Sequence, residues 1–245
     1  MANMRLDKAL SQSGEYSRKE AGKLIRSGQV KINDVLACKV DIAVKDTDII
    51  TLSNEVIERS PYVYLIMNKS EGLVTAATDS REKTVMDALP VKYIKRDVRP
   101  VGRLDKDTTG LLLFTNHGAL AHRLLSPKHH VEKCYYTVVS GKLEDSSIER
   151  FAEGVELSDF VTKPAKMKIL EVSNEQSSAE ITIVEGKFHQ VKRMFHAIGH
   201  EVLTLERIKF GTLCLPEDLA RGQWRILNEK EQEMLLAVLK TEGKD

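Results

Sequence analysis

The sequence predicts an α+β fold in two parts, a small N-terminal unit and a larger domain with a mostly antiparallel sheet. The chain has 245 residues with 42% hydrophobic content, enough for one sizeable domain beside a smaller one. β-Branched and aromatic runs alternate with helical stretches along most of it. A polar stretch with a proline at 58–61 indicates a linker, so we place the two domains at 1–57 and 62–240.

The N-terminal unit begins with two predicted helices. The first places Leu6 and Leu10 on one face. The second starts at a capping box, with Ser17 as N-cap and Glu20 three residues on, and ends at Gly28. Short strands are expected after the helices, at Val30–Ile32, Val35–Ala37 and Asp48–Leu52, the first two joined by a tight Asn33-Asp34 turn.

The larger domain shows strands separated by helices. The predicted strands are Tyr62–Met67, Leu111–Thr115, Tyr135–Val139, Met167–Val172 and Ala179–Val184. The predicted helices are Ala119–Leu125, Ser146–Ala152 and Gln190–Ile198, followed by a last helix that starts at an Asn228–Glu231 capping box.

The overall charge does not identify a partner, because 37 basic residues balance 36 acidic ones. Residues 1–39, however, hold eight basic side chains against four acidic ones. Four of the basic ones lie on or beside the second helix, mostly away from its apolar side: Arg18, Lys19, Lys23 and Arg26. Such a face can track phosphates, although charge alone fits an ordinary solvated helix surface better.

Several classes of protein and site are disfavoured. The three cysteines are far apart and form no CxxC pair, which argues against a zinc site or a disulfide framework. No signal peptide and no apolar run of the ~20 residues that span a bilayer is present, so a cytoplasmic protein is expected. The His129-His130 pair and the spaced His189 and His196 lack further converging ligands, so no metal is expected.

The segment from Arg99 to Thr115 is the most specific in the chain. A turn rich in Gly, Asp and Thr leads into an apolar strand. A carboxylate on such a loop can face a cleft while the sheet fixes its backbone, and both Asp105 and Asp107 qualify. Either carboxylate can instead satisfy turn backbone groups, an interpretation that fits Asp107 better and stays open for Asp105.

The N-terminal unit resembles a known RNA-binding module. The run from Met4 to about Leu52 is similar to the S4-like module first described in a small-subunit ribosomal protein, in which the second helix and the following turn grip structured RNA. The resemblance implies the same role for five basic residues: Arg5, Arg18, Lys19, Lys23 and Arg26.

Three segments of the larger domain resemble the motifs of pseudouridine synthases. They run from Gly102 through Asp105 to Leu111, from His122 to Tyr135, and from Glu185 to Phe195. Together with the N-terminal module they cover nearly the whole chain in the same order. The subgroup that the chain resembles is the small-subunit (16S) rRNA pseudouridine synthase A family.

The resemblance implies that Asp105 is the essential catalytic carboxylate. Pseudouridine formation breaks the bond between ribose C1′ and uracil N1, turns the base and joins C1′ to C5. An ionised carboxylate can attack or stabilise the electron-poor C1′, or remove a sugar proton. It needs a nearby cation to stay ionised, and Lys192 of the third motif is our choice, with Arg193 as the alternative. Taken by itself, Lys192 also fits a solvated helix lysine.

Further roles also follow from the resemblance. Tyr135 would lie against the uracil and help with the proton on C5, although a tyrosine in a strand is most often core packing. Arg103 would fill the space that a flipped uridine leaves, or contact a phosphate. Other basic side chains are expected along the substrate groove: Lys187, His189, Arg193, Arg207 and Lys209. The reaction involves no redox change, so no cofactor is expected.

The sequence thus predicts a site-specific pseudouridine synthase of 16S rRNA. Ser126–Lys133 and Thr162–Ala165 favour the small-subunit branch over a 23S rRNA enzyme of the same group. Two further hypotheses stay open, a ribosome-assembly factor that only binds RNA and a glycosidase that releases uracil. The expected partner is 16S rRNA, free or within a small-subunit assembly intermediate, with no membrane partner. We expect the chain to act as a monomer.

Overall fold

The computed structural model describes residues 4–57 and 59–240. The strands are β1 (Met4–Arg5), β2 (Val30–Ile32), β3 (Val35–Leu36), β4 (Ala43–Val44), β5 (Ile50–Leu52), β6 (Glu55–Val56), β7 (Tyr64–Lys69), β8 (Arg99–Pro100), β9 (Thr109–Thr115), β10 (Lys133–Ser140), β11 (Lys166–Val172), β12 (Gln176–Ile183), β13 (Val202–Phe210), β14 (Leu213–Cys214) and β15 (Trp224–Ile226). The helices are α1 (Leu6–Ser11), α2 (Arg18–Arg26), α3 (Val91–Lys95), α4 (Gly118–Leu125), α5 (Asp145–Glu153), α6 (Gln190–Ala197) and α7 (Glu229–Lys240), with a 3₁₀ turn at Pro127–His129.

The N-terminal unit folds as its local signals predict. Ser17 caps α2 reciprocally with Glu20, since Glu20 N donates to Ser17 Oγ and Ser17 N donates to Glu20 Oε2. The two helices pack on a four-stranded sheet of order β3-β2-β5-β6. Asn33 and Asp34 both have positive φ, at 48° and 66°, as a two-residue hairpin turn requires. The core of this unit is formed by small and aliphatic side chains, among them Leu6, Leu10, Ile25, Val30 and Ile50.

Helix α3 belongs to the N-terminal unit, although the chain reaches it after β7. Contacts divide the structure into one unit running up to Val63 and including Leu89–Val98, and a second unit formed by the rest. Lys92 pairs with Glu15 at 2.9 Å. A Cβ at Gly14, where φ is +77°, would lie 2.5 Å from the Lys92 carbonyl oxygen, so this approach needs glycine. The domain boundaries expected from the sequence include no such return of the chain.

The second unit is built on a nine-stranded sheet with the order β11-β12-β10-β13-β9-β7-β15, to which β14 and β8 add at β13 and β9. Within the described residues, β9 and β13 are the one parallel strand pair, and the others are antiparallel. This confirms the predicted α+β class. Where β9 pairs with β13, Gly110 lies directly against the backbone of Arg207, and a Cβ atom at Gly110 would not fit.

The core of the second unit fixes the strands that carry the site. All six side chains of β7 are buried, as are those of β9 after Thr109. Helices α4 and α7 pack against one face through Leu120, Leu124 and Leu235. Helix α7 begins at the predicted capping box, with Glu231 N donating to Asn228 Oδ1 at 2.9 Å. No described helix combines the length and apolar content that a membrane span requires.

Candidate active site

A buried lysine holds the backbone of the loop that carries Asp105. The side chain of Lys69, at the end of β7, is completely inaccessible to solvent. Its Nζ donates to the carbonyl oxygens of Asp105 at 3.0 Å, Lys106 at 3.2 Å and Thr108 at 2.8 Å. From the other side, Thr75 Oγ1 donates to the Leu104 carbonyl at 2.7 Å. The loop is therefore held by hydrogen bonds along its length.

Burial lowers the pKa of Lys69 to about 8, and the charges of Asp107 and Asp105 offset only part of that effect. The sequence reasoning missed this residue. A signal was present, because Lys69 follows the apolar run Tyr62–Met67 after only one residue, and a lysine at the end of a strand that is buried on both faces cannot reach solvent easily.

The carboxylate of Asp105 lies between two basic side chains of one segment. Lys192 Nζ is 3.6 Å from Asp105 Oδ2, and His189 Nε2 is 3.5 Å from Asp105 Oδ1. The carboxylate is 32% exposed, and it lines a cleft of about 260 Å³ in the second unit. It can therefore reach a ligand in the cleft while it remains close to a cation.

Lys192 makes its shortest contact with a second carboxylate. Its Nζ donates to Asp107 Oδ1 at 2.5 Å. Partial burial raises the pKa of Asp107, but the hydrogen bond and positive charge of Lys192 outweigh it, so the pKa is lowered overall. One ammonium thus serves both acidic residues of the loop, and Asp107 does more than satisfy turn backbone groups.

The start of α6 positions His189 and Lys192. His189 precedes the helix with a left-handed φ of 48°, a conformation that non-glycine residues adopt rarely. Gln190 holds the loop before it, since its Oε1 accepts from Lys187 N at 3.0 Å and its Nε2 donates to Glu185 Oε1 at 2.7 Å. The helix and its preceding loop therefore present both basic groups to Asp105.

The two tyrosines of β10 line different hollows. Tyr135 is 8% exposed and lines the cleft with Asp105. Tyr136, the next residue along the strand, lines a separate hollow with Glu71 and Leu203. Alternation along a strand accounts for this division.

The other predicted groove residues fall into two places. Arg103, Lys187 and His189 line the cleft with Asp105. Arg193 faces a neighbouring hollow, where it pairs with Asp159. The ring of Phe160 lies between these basic groups, with Lys187 Nζ 3.4 Å and Arg193 Cζ 5.3 Å from its centroid.

Arg207 does not line the groove, and the prediction for it was wrong. The side chain is 2% exposed, and its Nε donates to the Leu111 carbonyl at 2.8 Å. It stands on β13, between β10 and β9, and pairs in register with Tyr135 and Gly110. A central position in the sheet buries it. Lys209, two residues on, is half-buried.

The basic residues of the N-terminal unit lie on its surface. Lys19, Lys23 and Arg26 are exposed on α2, whose Ala21 and Ile25 face the core. Arg5 and Arg18 are also exposed, and both contact the carboxylate of Asp7, at 3.1 and 3.3 Å. The predicted RNA-binding residues thus form an exposed basic surface in which Asp7 neutralises part of the charge.

The sequence of this chain matches two known protein families. The family described as RNA pseudouridylate synthase matches residues 63–197, more than half of the chain. The chain belongs to this family. The S4 domain matches residues 4–50. The pseudouridine synthase motifs and the N-terminal module recognised in the sequence are thereby confirmed, and the chain is an isomerase that acts on RNA.

Curated relatives and one solved structure extend the family match over nearly the whole chain. An uncharacterized RNA pseudouridine synthase of Bacillus subtilis is 42% identical, covering 95% of this chain and 98% of its own. Ribosomal large subunit pseudouridine synthase B of the same organism is 36% identical, with 96% of each chain covered. Ribosomal small subunit pseudouridine synthase A of Vibrio cholerae is 37% identical, with 93% and 97% covered. A crystal structure of a pseudouridylate synthase superposes with a TM-score of 0.66 at 35% identity, over 95% of this chain and 99% of that one.

Proposed function

We propose that this pseudouridine synthase isomerises one uridine of ribosomal RNA, with 16S rRNA as its target and Asp105 as its catalytic carboxylate. The proposal is carried by one observation, the Asp105 carboxylate in a cleft within 3.6 Å of Lys192 Nζ. Two of the curated relatives support the substrate class, since one is named as a ribosomal large subunit pseudouridine synthase and the other as a ribosomal small subunit pseudouridine synthase.

Asp105 acts on the sugar of the target uridine. Its carboxylate either attacks C1′ or removes a sugar proton as the C1′–N1 bond breaks. The uracil turns, C5 bonds to C1′, C5 loses its proton and N1 gains one, so the product is an isomer of the substrate. Lys192 and His189 flank the carboxylate and hold it in position beside the sugar. No external reactant is consumed.

Tyr135 serves the base rather than the sugar. Its ring lines the cleft that Asp105 enters, and little of it is exposed to solvent. A ring in that place can stack on the uracil, and its hydroxyl can assist removal of the C5 proton. Arg103, also in the cleft, occupies the place of the uridine in the RNA helix or contacts a phosphate.

The N-terminal unit docks the enzyme on structured RNA. Helix α2 presents Lys19, Lys23 and Arg26 to solvent, as phosphate contacts require. Double-helical RNA is recognised mainly by shape and backbone, so this unit supplies affinity while the cleft selects the flipped uridine. A single chain holds both functions, and we propose that it acts as a monomer on free 16S rRNA or on an assembly intermediate.

The two segments whose sequences favour the small-subunit target, Ser126–Lys133 and Thr162–Ala165, are in contact with each other. Lys163 Nζ lies 2.8 Å from His130 Nε2. Lys163 N also donates to Glu185 Oε1 at 2.9 Å, in the segment that leads to the cleft. The 23S target remains the second candidate, because the large-subunit relative is nearly as similar as the small-subunit one.

The test is incubation of the full chain with 16S and 23S transcripts, followed by mapping of pseudouridines at nucleotide resolution. We expect one modified uridine, in 16S rRNA, and none with Asp105→Asn, which keeps RNA affinity within a few fold. Asp145→Asn removes an exposed carboxylate at the start of α5 and serves as the matched control. Modification in 23S rRNA alone supports the second candidate. Free uracil in the digest, or full activity of Asp105→Asn, contradicts the proposal.

A further inference from the structure

Phe188 is an exposed aromatic ring at the rim of the catalytic cleft. Its side chain is 68% exposed, whereas Phe114, Phe151, Phe195 and Phe210 are buried. It lines the same cleft as Asp105 and Tyr135. Leaving so much apolar surface in water costs free energy, which a nucleobase stacked on the ring would recover in part.

The ring of Phe188 is already stacked on one side. Its centroid lies 3.8 Å from that of His189, with 17° between the ring planes. His189 is itself fixed, because Nε2 is 3.5 Å from Asp105 Oδ1 and the backbone is in the left-handed conformation. The stacked pair is therefore held at a set position beside the catalytic carboxylate, and the exposure of Phe188 leaves its ring accessible.

The size of the cleft suits a single nucleoside. Its volume of about 260 Å³ is at the small end of ligand sites, and Asp105 and Tyr135 line it together. Phe188 stands at the rim, so a base that covers it belongs to another nucleotide of the same strand. Lys187, the preceding residue, also lines the cleft and adds positive charge there, which suits the phosphate backbone of a bound strand.

We propose that the stacked rings of Phe188 and His189 form a platform for the nucleobase that adjoins the target uridine. This inference rests on the proposed function and adds a second base-binding subsite to the catalytic cleft. Stacking on an aromatic ring tolerates any base, so the platform holds the flipped strand without reading its sequence. It keeps the uridine from returning to the RNA helix once it has left.

The experiment compares ligands that fill one subsite or two. NMR titrations of the full chain measure the affinity for uridine monophosphate, ApU and UpA. We expect one of the dinucleotides to bind about fivefold or more tighter than the mononucleotide. Its adenine protons should shift upfield, as ring currents dictate. Two dinucleotides are used because the adenine stands on a different side of the uridine in each.

The variants separate stacking from simple apolar burial. Phe188→Ala and Phe188→Leu should lose the gain in affinity and the upfield shifts, while Phe188→Trp restores both. The gain is taken in each variant as the ratio of its dinucleotide affinity to its own affinity for uridine monophosphate, so that an effect of the substitution on the uridine subsite cancels. Val172→Ala, which trims an exposed side chain on the edge strand β11, is the matched control and should keep the gain.

Two results would overturn the platform. The first is equal affinity of the wild type for uridine monophosphate, ApU and UpA, and the second is a tighter binding of the dinucleotide that survives in Phe188→Ala or Phe188→Leu. The rRNA assay with the wild type tests the proposed function separately. Absence of pseudouridine there overturns that function, whereas normal modification with an unchanged KM for Phe188→Ala overturns the platform alone.

Discussion

Lys192 Nζ lies 3.6 Å from Asp105 Oδ2, and the same atom lies 2.5 Å from Asp107 Oδ1. The shorter contact is made with the carboxylate for which we propose no catalytic role. Lys192 is 23% exposed, so its charge is only partly screened by solvent. The share of that charge that acts on Asp105 therefore depends on Asp107.

Lys192→Met should slow catalysis about 100-fold, a loss typical of removing one charge-stabilising group from an active site. Asp105 would then lose its nearest ammonium. Single-turnover rates on rRNA measure the effect. Lys192→Arg keeps the charge and should retain more activity. An unchanged rate in the methionine variant argues against the pairing.

Asp107→Asn should leave the rate within a few fold of the wild type. The substitution removes the carboxylate that Lys192 Nζ contacts at 2.5 Å and leaves this ammonium to Asp105. Single-turnover rates on rRNA provide the measurement, and a loss as large as that of Lys192→Met would show that Asp107 holds Lys192 in place instead of competing for it.

Lys69→Met should weaken the loop that carries Asp105. The substitution leaves buried carbonyl oxygens without their donor, each at a cost of about 1–3 kcal/mol. The removed burial penalty of the ammonium offsets part of that cost. We therefore expect the free energy of unfolding in urea to fall by about 2–4 kcal/mol. At a temperature where the variant is folded, kcat should fall and KM stay near its original value.

The control for that variant is Lys106→Met. Lys106 lies on the same loop, but its side chain is 53% exposed and pairs with Glu82 at the surface. Such a pair contributes little, so both stability and kcat should stay close to the wild type. If Lys69→Met behaves like this control, the clamp on the loop is dispensable.

The lowered pKa of Lys69 also predicts a pH dependence of stability. Its pKa is about 8 in the folded chain against an ordinary value of 10.5. Between these values the unfolded chain binds the proton that the folded chain has lost, so stability rises with pH. Below pH 8 both states are protonated and the contribution is constant. The difference in unfolding free energy between wild type and Lys69→Met should therefore increase from pH 8 to pH 10.5.

The exposed basic surface of α2 should govern affinity and not chemistry. Replacing Lys19, Lys23 and Arg26 with glutamine should weaken rRNA binding. The slope of log affinity against log salt concentration should also become less steep, by about one for each phosphate that the protein no longer neutralises. The rate at saturating RNA should not change. The control removes the same charge elsewhere on the surface: Lys142→Gln, Lys168→Gln and Lys230→Gln. Equal losses in both triple variants would mean that only net charge matters.

Local signals predicted the elements that they control directly. Helix α2 starts directly after Ser17 because the four residues Ser17–Glu20 form a capping box, and most of β7 follows from the apolar run Tyr62–Met67. Strand β13 was missed, since Glu206, Arg207 and Lys209 interrupt the pattern that marks a strand. Arg207, on β13, is buried because β9 and β10 pair with β13 on either side, and these two strands come from distant parts of the chain. Local periodicity carries no information about such neighbours.

The residues of the candidate site that stand in a sequence motif could be predicted, and the others could not. Asp105, Tyr135 and Lys192 stand in recognised motifs, and the structure places them at one cleft. The role of Lys69 arises only after folding, when β7 ends beneath the Asp105 loop. The exposure of Phe188 is likewise a property of the folded surface, because a phenylalanine in a sequence predicts burial.

The chain leaves its N-terminal unit after Val63, returns at Leu89 and departs again after Val98. A fusion protein joined to another chain at residues 58–61 would consequently contain neither of the two units intact. A fragment that starts at residue 62 would carry α3 and the Tyr93 side chain, buried in the full chain, away from their packing partners. An RNA-docking unit borrowed from another protein would have to bring its own version of this helix, so an exchange of this unit has to replace both segments of the chain.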